Sequence, residues 1–485
     1  MMQTGFMGVG RVASAKWSLL CKACLVPCIV LAASAQAQAG KHDVFADMLM
    51  SKGIEAYSQA GQRGDQATAD ALLDVDVLFS GGDGAVQRDE KRDKSDAVAA
   101  LIKSQTSAFE LSGLKDDIPA MQRYADRDLL VVGLDGKVAS RLSINADLPA
   151  MPAGGVPLAV TQSDWAIHHD DHVAVASHIE SRKFRYGSQE LQFSALVLDT
   201  WIARGSAWKL LGHQAIALHQ DVVPTPLSND ALDAYVGTYV VGEHAQAVIS
   251  RDGNALLSSI NAAKPTRYEA ETRDVFYVSG MSPGSARTRI FFQREGERIN
   301  GYASSSGLLA KRVVTASDGT GQSGISSVVL PAKELIVRHA GNVALAAFIH
   351  ERVTQFHGQE LHTQYRSMET WIKRGDQWKM LSLQSRALEH DAPGMHMSPE
   401  AMHAFAGNYV AGAHMASQIA LQGNALLLTH QGDEPLALHA VAGDYFAVSG
   451  SPRTGFIFMR DANGQITGYI DRCEGRDLVF TRVGA

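Results

Sequence analysis

Two carboxylates, Asp199 and Glu369, occupy equivalent places in two apolar segments, each two residues before a tryptophan. In an extended strand alternate side chains share one face, which puts Asp199 beside Trp201 and Glu369 beside Trp371. A carboxylate among aromatic side chains can have a raised pKa and act as a general base. The alternative is that both acids lie near strand ends in solvent. The burial of the two side chains discriminates between these interpretations.

Aromatic and amide side chains in the same segments indicate a ligand pocket, since such pockets are mostly apolar with a few hydrogen-bonding groups. Strand alternation places Gln214 on the face of Trp208 and leaves His213 on the opposite face. A glutamine here either donates to a ligand or bonds to neighbouring backbone. His178 and Glu180, at the end of a predicted strand, could face either way. The predicted pocket residues are Trp201, Trp208, Gln214, Trp371, Trp378 and Gln384.

Two short runs combine side chains that bind metals. Alternate residues of the first run would share one strand face, and imidazole with carboxylate suits zinc. The second run combines thioether and imidazole groups of the kind that hold copper. A polar hairpin turn and a linker are the competing interpretations. We therefore predict no metal or other cofactor, and keep as alternative metal ligands His168, Asp170, His172, Met395, His396 and Met397.

A long internal repeat organises the chain. Residues 189–218 align without a gap with 359–388, and the same register continues from 231–280 to 401–450. Such length in one register indicates duplication. The first part of each copy reads as long antiparallel strands around a tight turn at Arg204-Gly205 or its equivalent. The second part reads as a capped short helix followed by short strands, which predicts a small meander or barrel.

The repeated strands resemble the nuclear transport factor 2-like superfamily, which includes SnoaL-like cyclases and ketosteroid isomerase. The resemblance implies a cone-like curved antiparallel sheet with N-terminal helices around a pocket, and dimers formed through the sheets. No catalytic residues of ketosteroid isomerase carry over, because no motif here aligns with them. The pattern is carried by Trp201, Arg204, Gly205, Trp208, Lys209, Leu211, Gln214 and Leu218, and recurs in the second copy.

The second part of each copy resembles the small β-rich domain that follows serine β-lactamase-like and peptidase domains in bacterial envelope proteins. The pattern L-x-x-Y-x-G-x-Y is carried by Leu232, Tyr235, Gly237 and Tyr239, with Met402, Phe405, Gly407 and Tyr409 in the second copy. In those proteins the small domain is usually an accessory to the catalytic part.

The predicted fold is α+β with six segments. The second sheet is expected to lack helices of its own, so its concave face must be covered by the insertion, by the first unit or by another chain. The segments are a signal peptide (1–39), a nuclear-transport-factor-2-like domain (41–222) with an insertion at about 105–160, a small β-rich domain (223–313), a linker (314–326), a partial second nuclear-transport-factor-2-like unit (327–392) and a second small β-rich domain (393–485).

The N-terminus predicts export. Basic residues precede an apolar run, Ala23–Ala33, and small residues follow in an A-x-A pattern, with cleavage expected after Ala35, Ala37 or Ala39. The run is shorter than a membrane span, so we expect a periplasmic or secreted protein without a span after leader removal. Lipid attachment at a leader cysteine is the alternative. Removing the leader leaves Cys473 alone, which excludes an internal disulfide.

Composition narrows the function. A net charge of −7 with no basic stripe argues against nucleic-acid and anionic-membrane binding. Hydrolase, zinc-protease, phosphate-loop and dinucleotide motifs are absent from the sequence. The leading expectation is a non-catalytic module that binds a small apolar ligand or a protein partner, as a homodimer or an intrachain pseudo-dimer. An isomerase- or cyclase-type enzyme with a pocket carboxylate and an envelope copper or zinc protein are the alternatives.

Overall fold

The computed structural model describes residues 44–80, 96–140, 155–313 and 325–484, apart from 244, 282–283, 286, 413–414, 424 and 431–432. The predicted signal peptide and most of the predicted linker lie outside the described residues. The chain divides into two compact units, residues 1–52 and 53–485, and every contact discussed below lies within the second. The protein is mostly β. In the described ranges, no helix combines the length and apolar character that crossing a membrane requires.

The N-terminal segment is helical and ends in a strand. It comprises α1 (Val44–Arg63), which crosses the boundary between the two units, α2 (Gln66–Leu72) and β1 (Leu73–Ser80). Asp65 caps α2 by accepting a hydrogen bond from the backbone N–H of Thr68 at 3.1 Å, the arrangement that favours acidic residues at helix starts.

A first six-stranded sheet has the order β3-β2-β7-β6-β5-β4, with β2 parallel to β7. Two helices with aspartate N-caps, Asp96 and Asp117, cover one of its faces. The elements are α3 (Ala97–Leu114), α4 (Ile118–Tyr124), β2 (Ala125–Val132), β3 (Val138–Ser140), β4 (Val156–His169), β5 (Val173–Tyr186), β6 (Gln189–Arg204) and β7 (Ala207–Leu218). Much of the predicted insertion at 105–160 is therefore integral, because α4, β2 and most of α3 complete this sheet and its cover.

A closed barrel of eight antiparallel strands follows. Tyr239 is buried in its core and donates a hydrogen bond from its hydroxyl to the carbonyl of Tyr235 at 2.7 Å. The barrel comprises α5 (Asn229–Asp233), β8 (Gly237–Val241), β9 (Ala245–Asp252), β10 (Ala255–Ile260), β11 (Thr266–Thr272), β12 (Val275–Val278), β13 (Arg289–Glu295), β14 (Arg298–Ser304) and β15 (Leu309–Val313).

The second copy repeats this plan. Its sheet contains β16 (Ser326–Val329), β17 (Lys333–Ala340), β18 (Val343–Phe356), β19 (Gln359–Arg374) and β20 (Gln377–Ala387). Its closed barrel contains α6 (Pro399–His403), β21 (Gly407–Val410), β22 (Ala416–Gln422), β23 (Ala425–His430), β24 (Leu436–Ala442), β25 (Tyr445–Val448), β26 (Thr454–Arg460), β27 (Ile466–Cys473) and β28 (Arg476–Arg482). Of the two outcomes expected for the small domains, meander or barrel, the structure has closed barrels.

The N-terminal segment completes the second sheet, not the first. Strand β1 runs parallel to β20, with Ser80 opposite Gln384, just as β2 runs parallel to β7 with Val132 opposite Gln214. The assignment of residues 41–222 to a single unit is therefore corrected for residues 53–80. The physical reason is that β2 already occupies the free edge of β7, so β1 pairs with the equivalent edge of β20.

The same pairing corrects the expectation of a second sheet without helices. The backbone of α1 lies against the Trp371 ring, since a Cβ added at Gly53 would lie 3.2 Å from it. Lys379 donates to the carbonyl of Ala71 in α2, and Arg374 binds Asp74 at the start of β1 at 3.0 Å. Helices from the chain's own N-terminal region thus cover the face.

The two sheets pack against each other through the faces that carry no helices. Leu198 and Ile202 of the first sheet share one buried apolar cluster with Leu345 and Ile372 of the second. Equivalent threonines meet there, with the hydroxyls of Thr200 and Thr370 2.6 Å apart. The duplicated surfaces therefore bury one another within one chain.

Each barrel also contacts the sheet of the other copy. The Gln189 side chain exchanges two hydrogen bonds with the backbone of Val479, at 2.9 and 3.0 Å. The equivalent Gln359 exchanges two with Leu309, at 2.8 and 2.9 Å. These reciprocal contacts tie the second barrel to the first sheet and the first barrel to the second sheet.

Candidate functional site

The helix-covered face of the first sheet carries a buried Asp–His pair. Asp199 on β6 is fully buried and accepts a hydrogen bond from Nδ1 of His213 on β7 at 2.8 Å. The interpretation of Asp199 as a solvated surface acid is therefore excluded. Such a carboxylate orients the imidazole and selects its tautomer.

A register shift in the sheet explains why simple alternation misplaced His213. The register between β6 and β7 shifts between Thr200 and Trp201. Trp201 lies opposite Leu210, but its neighbour Thr200 lies opposite Gly212. One extra residue in β7 reverses the alternation beyond it, as a β-bulge does. His213 therefore shares the face of Asp199.

Two carboxylates share one arginine on the same face. Arg182 on β5 donates from Nη2 to Glu110 on α3 at 2.6 Å, and from Nε to Glu180. Burial and, after it, the negative charge of Glu110 together raise the pKa of Glu180 to about 7, although Arg182 opposes the shift. Glu180 is thus a buried acid that can hold or release a proton near neutral pH.

His178 on β5 lies close to these groups. It is fully buried and its ring stacks on Trp165, with the ring centroids 4.3 Å apart. Burial lowers the pKa of His178 and keeps the imidazole neutral. Neither ring nitrogen has a protein hydrogen-bond partner. Buried polar atoms without a partner are rare and point to water or a ligand.

A cavity opens onto this cluster from the side of the second barrel. Its inner space is about 30 Å³, and the depression measures about 520 Å³ when the open solvent at its mouth is included. Glu180, Arg182 and His213 supply its polar wall, and Glu474 from the turn between β27 and β28 lies at its rim. The apolar wall is formed by Leu134, Phe184, Phe193, Ala195, Val197, Ala215 and Ala217, with Ser194 completing the lining.

Glu110 and Arg182 were not singled out in the sequence. A signal existed for Glu110, because it falls on the helical stripe of buried residues Ile102, Thr106 and Phe109 in α3. A charged residue on an otherwise buried helix face requires a partner. The partner comes from a strand far along the chain, so spacing alone does not reveal it.

The second unit has different chemistry at the equivalent face. Glu369 is 3% exposed and accepts a hydrogen bond from Nε1 of Trp371 at 2.7 Å. Burial raises the pKa of Glu369 to about 8. The positions equivalent to His178, Glu180 and His213 hold Phe348, His350 and Leu383. Glu369 therefore lacks the cluster that surrounds Asp199.

The six predicted pocket residues do not lie in the wall of this cavity. Gln214 faces the other sheet, since it lies opposite Leu198, and Gln384 donates to Ser80 at 2.9 Å and to the carbonyl of Leu196 in the first sheet. The same register shift accounts for both placements. Buried aromatic packing accounts for Trp201 and Trp371, while Trp208 and Trp378 are partly buried.

The alternative metal ligands are placed apart. Asp170 accepts from the backbone N–H groups of His172 and Val173 and from Arg374 at 2.9 Å, which is the polar-turn interpretation. His168 bonds through Nδ1 to the carbonyl of Asp76. In the second run, Met397 packs against the second barrel's core and Met395 is exposed, with His396 between them. Within the described ranges no three His, Cys, Asp or Glu side chains converge to hold a metal ion.

Comparisons with known proteins bear on parts of the chain. No protein-family model matches it, and no curated protein matches it. Among solved structures, an NTF2-like protein from Cytophaga hutchinsonii is 18% identical, covering 25% of this chain and 98% of that one, with a TM-score of 0.22. A putative calcium/calmodulin-dependent kinase II association domain from Exiguobacterium sibiricum is 14% identical, covering 27% and 100%, with a TM-score of 0.23.

A third similar structure is a putative scytalone dehydratase from Novosphingobium aromaticivorans. It is 12% identical, covering 25% of this chain and 83% of that one, with a TM-score of 0.22. Such values support no assignment of the whole chain to a family and no inference about its activity.

Proposed function

We propose that this is an exported periplasmic or secreted protein whose first sheet, of nuclear-transport-factor-2-like type, binds a small molecule in its covered cavity. The ligand has an apolar body and a hydrogen-bonding end. The observation that carries the proposal is the joining of an apolar-lined opening to a buried cluster of titratable groups. Pockets with convergent polar groups and shifted pKa values are the usual sites of small-molecule binding.

The unpaired polar atoms support this choice over a purely structural role. Buried oxygens of Glu110, Glu180 and Asp199, and both ring nitrogens of His178, lack protein partners. A structural core normally satisfies such groups, because each unpaired one costs about 1–3 kcal/mol. A ligand or its accompanying water molecules would supply the missing hydrogen bonds.

Native mass spectrometry of the mature chain purified from the periplasm tests the proposal. We expect a retained small molecule, and an N-terminus that follows Ala35, Ala37 or Ala39. Substituting Ala217→Phe narrows the cavity and should abolish retention. The equivalent Ala387→Phe in the second copy is the matched control and should leave retention unchanged. Equal retention by both variants would place the ligand elsewhere and refute the assignment.

Proton transfer is the second candidate function, of the isomerase or cyclase class. It is favoured by His213, which lines the cavity while Asp199 holds its Nδ1. His213 would accept a proton from a carbon next to a carbonyl and return one to the product, with Asp199 as the positioning residue. Incubation of the retained ligand with fresh protein in D₂O tests this idea. Incorporation of deuterium at carbon that is lost in His213→Ala supports it, and no incorporation by the unsubstituted protein rejects it.

A further inference from the structure

Among the residues that line the cavity, Glu180 and Glu474 are the carboxylates and Arg182 is the arginine, while Arg453 binds Glu474 from outside the lining. Glu110 and Glu180 share the guanidinium of Arg182. Asp199 binds His213, and His213 lines the cavity. The neighbouring imidazole of His178 is neutral. Two carboxylates, Glu110 and Glu180, thus share one permanent positive charge, a buried imbalance that is costly unless a proton or a bound cation offsets it.

One carboxylate oxygen reaches the cavity without a partner. Glu180 lines the cavity, is 5% exposed, and its Oε2 has no hydrogen-bond donor. Glu110 likewise leaves Oε1 unpaired, 4.0 Å from His213. The charge of Arg182 is already shared between both carboxylates, to which it donates through Nε and Nη2. A ligand group that binds at this end of the cavity must therefore donate a hydrogen bond to Glu180.

The residues at the opening of the cavity indicate that the other end of the ligand is apolar. Phe184, Phe193 and Leu134 form an apolar entrance. An entrance of this kind accepts a short hydrocarbon chain.

We propose that the cavity of the first sheet binds a small primary amine with an apolar body, its ammonium group donating to Glu180 and lying close to the charge of Glu110. This inference rests on the proposed small-molecule site and adds its charge class. Neutral alcohols bind more weakly, because their hydroxyl provides one donor and no charge. Carboxylates and phosphates are rejected by like charge and by the commitment of Arg182.

Three probes of equal length test the charge class: butylamine, 1-butanol and butyrate, each titrated into the full mature chain at pH 7.5 and followed by ligand-observed NMR. We expect butylamine to bind at least about tenfold more tightly than 1-butanol, since hydrogen bonds to charged groups are the stronger kind. Butyrate should show no binding. Butyrate binding as tight as butylamine, or equal binding of butylamine and 1-butanol, overturns the inference.

A matched pair of substitutions locates the effect. Glu180→Gln should remove the preference for butylamine over 1-butanol, whereas Glu369→Gln, a buried glutamate in the second unit, should preserve it. If Glu180→Gln fails to fold, Glu110→Gln serves as the second variant, and the comparison of probes on the unsubstituted chain stands by itself. If 1-butanol and butylamine bind equally well, the small-molecule site is supported and only its preference for amines is refuted. Absence of binding by all three probes removes both.

Discussion

Glu369 and Asp199 descend from one repeated position, yet their side chains now have different surroundings. Asp199 has a histidine partner at 2.8 Å, whereas Glu369 has a single donor, the indole N–H of Trp371. Desolvation disfavours a carboxylate that has no cation nearby. The second unit therefore holds Glu369 in its protonated form at neutral pH, whereas the first unit places Asp199 beside a histidine.

The raised pKa of Glu369 predicts how stability depends on pH. Its pKa rises from the ordinary value of 4.5 to about 8, so between these pH values the folded protein keeps a proton that the unfolded chain releases. The free energy of unfolding should therefore decrease as pH rises from about 4.5 to about 8, by on the order of 1.4 kcal/mol per unit of pKa shift.

Substituting Glu369→Gln should flatten this part of the pH profile and raise stability at pH 8, because the amide cannot ionise and its carbonyl still accepts from Trp371. Chemical denaturation at pH 5, 6.5 and 8 measures the effect. An unchanged profile would show that Glu369 is ionised in the folded protein.

At the scale of elements, the two parallel strands β1 and β2 begin with the same set of contacts. Asp74 and Asp126 each accept the backbone N–H two residues further on, at 3.1 and 3.0 Å. Each also binds the arginine that begins the tight turn of its sheet, Arg374 and Arg204 respectively. The Asp-x-Asp sequence at 74–76 recurs at 126–128. This second, shorter repeat marks β1 as the counterpart of β2.

Substituting one of these aspartates should reduce the protection from hydrogen exchange only in the strand that contains it. Asp74→Ala should accelerate hydrogen exchange in β1 several-fold, corresponding to about 1 kcal/mol for a partly solvated charged hydrogen bond. The exchange rates of β2 should remain as they are. Asp126→Ala should produce the reverse pattern. Equal acceleration of both strands in either variant would contradict the assignment of β1 to the second sheet.

The turn after β8 makes a close backbone contact between the first barrel and the second sheet. Gly242 has φ +61° and a Cβ added to it would lie 1.9 Å from the carbonyl oxygen of His357. The backbone N–H of Glu243 donates to that oxygen at 2.9 Å. Only glycine permits this contact, because any side chain would occupy the space of the acceptor.

Gly242→Ala should therefore weaken the docking of the barrel. Gly253 is the matched control, since it has the same φ of +61° but no heavy atom within 4 Å of the added Cβ. Both variants should lose about 1–2 kcal/mol from the left-handed backbone conformation. Only Gly242→Ala should also lose protection of the Glu243 amide in hydrogen exchange. Identical behaviour of the two variants would mean that the contact does not hold the barrel.

At the scale of the whole molecule, a buried ion network joins the two barrels. Glu271 of the first barrel binds Arg289 at 2.7 Å and Arg472 of the second barrel at 3.2 Å. Burial opposes the charge of Glu271, but these arginines and Arg287 lower its pKa to about 2. Its contribution to stability is present above about pH 4.5 and is lost as pH falls towards 2.

Glu271→Gln should therefore destabilise the protein strongly at neutral pH, by about 3–5 kcal/mol, because it leaves buried guanidinium groups without a counter-charge. The loss of stability on acidification should become smaller in the variant. Glu297→Gln is the control, since Glu297 is 89% exposed in its pair with Arg273. Thermal unfolding from pH 3 to pH 7 measures both. Equal small effects would show that the network contributes little.

Local patterns in the sequence determined most of the elements. The duplication, the Arg204-Gly205 turn, the Ser228 and Ser398 caps and the Tyr239 and Tyr409 motifs depend on neighbours in the chain, so spacing and turn chemistry identify them. The same alternation predicted the tryptophan neighbours of Asp199 and Glu369, but it left their burial open, and the folded structure decided it.

Tertiary structure alone decided which parts belong together. A register shift of one residue moved His213 onto the face of Asp199 and turned Gln214 towards the other sheet. Pairing of β1 with β20 joined segments 300 residues apart, as in the Arg374–Asp74 contact. Arg182 likewise drew Glu110 to Glu180. Sequence periodicity reports which residues share a face over a few positions, but bulges, edge pairing and long-range ion pairs are settled by competition among all free edges and charges of the folded chain.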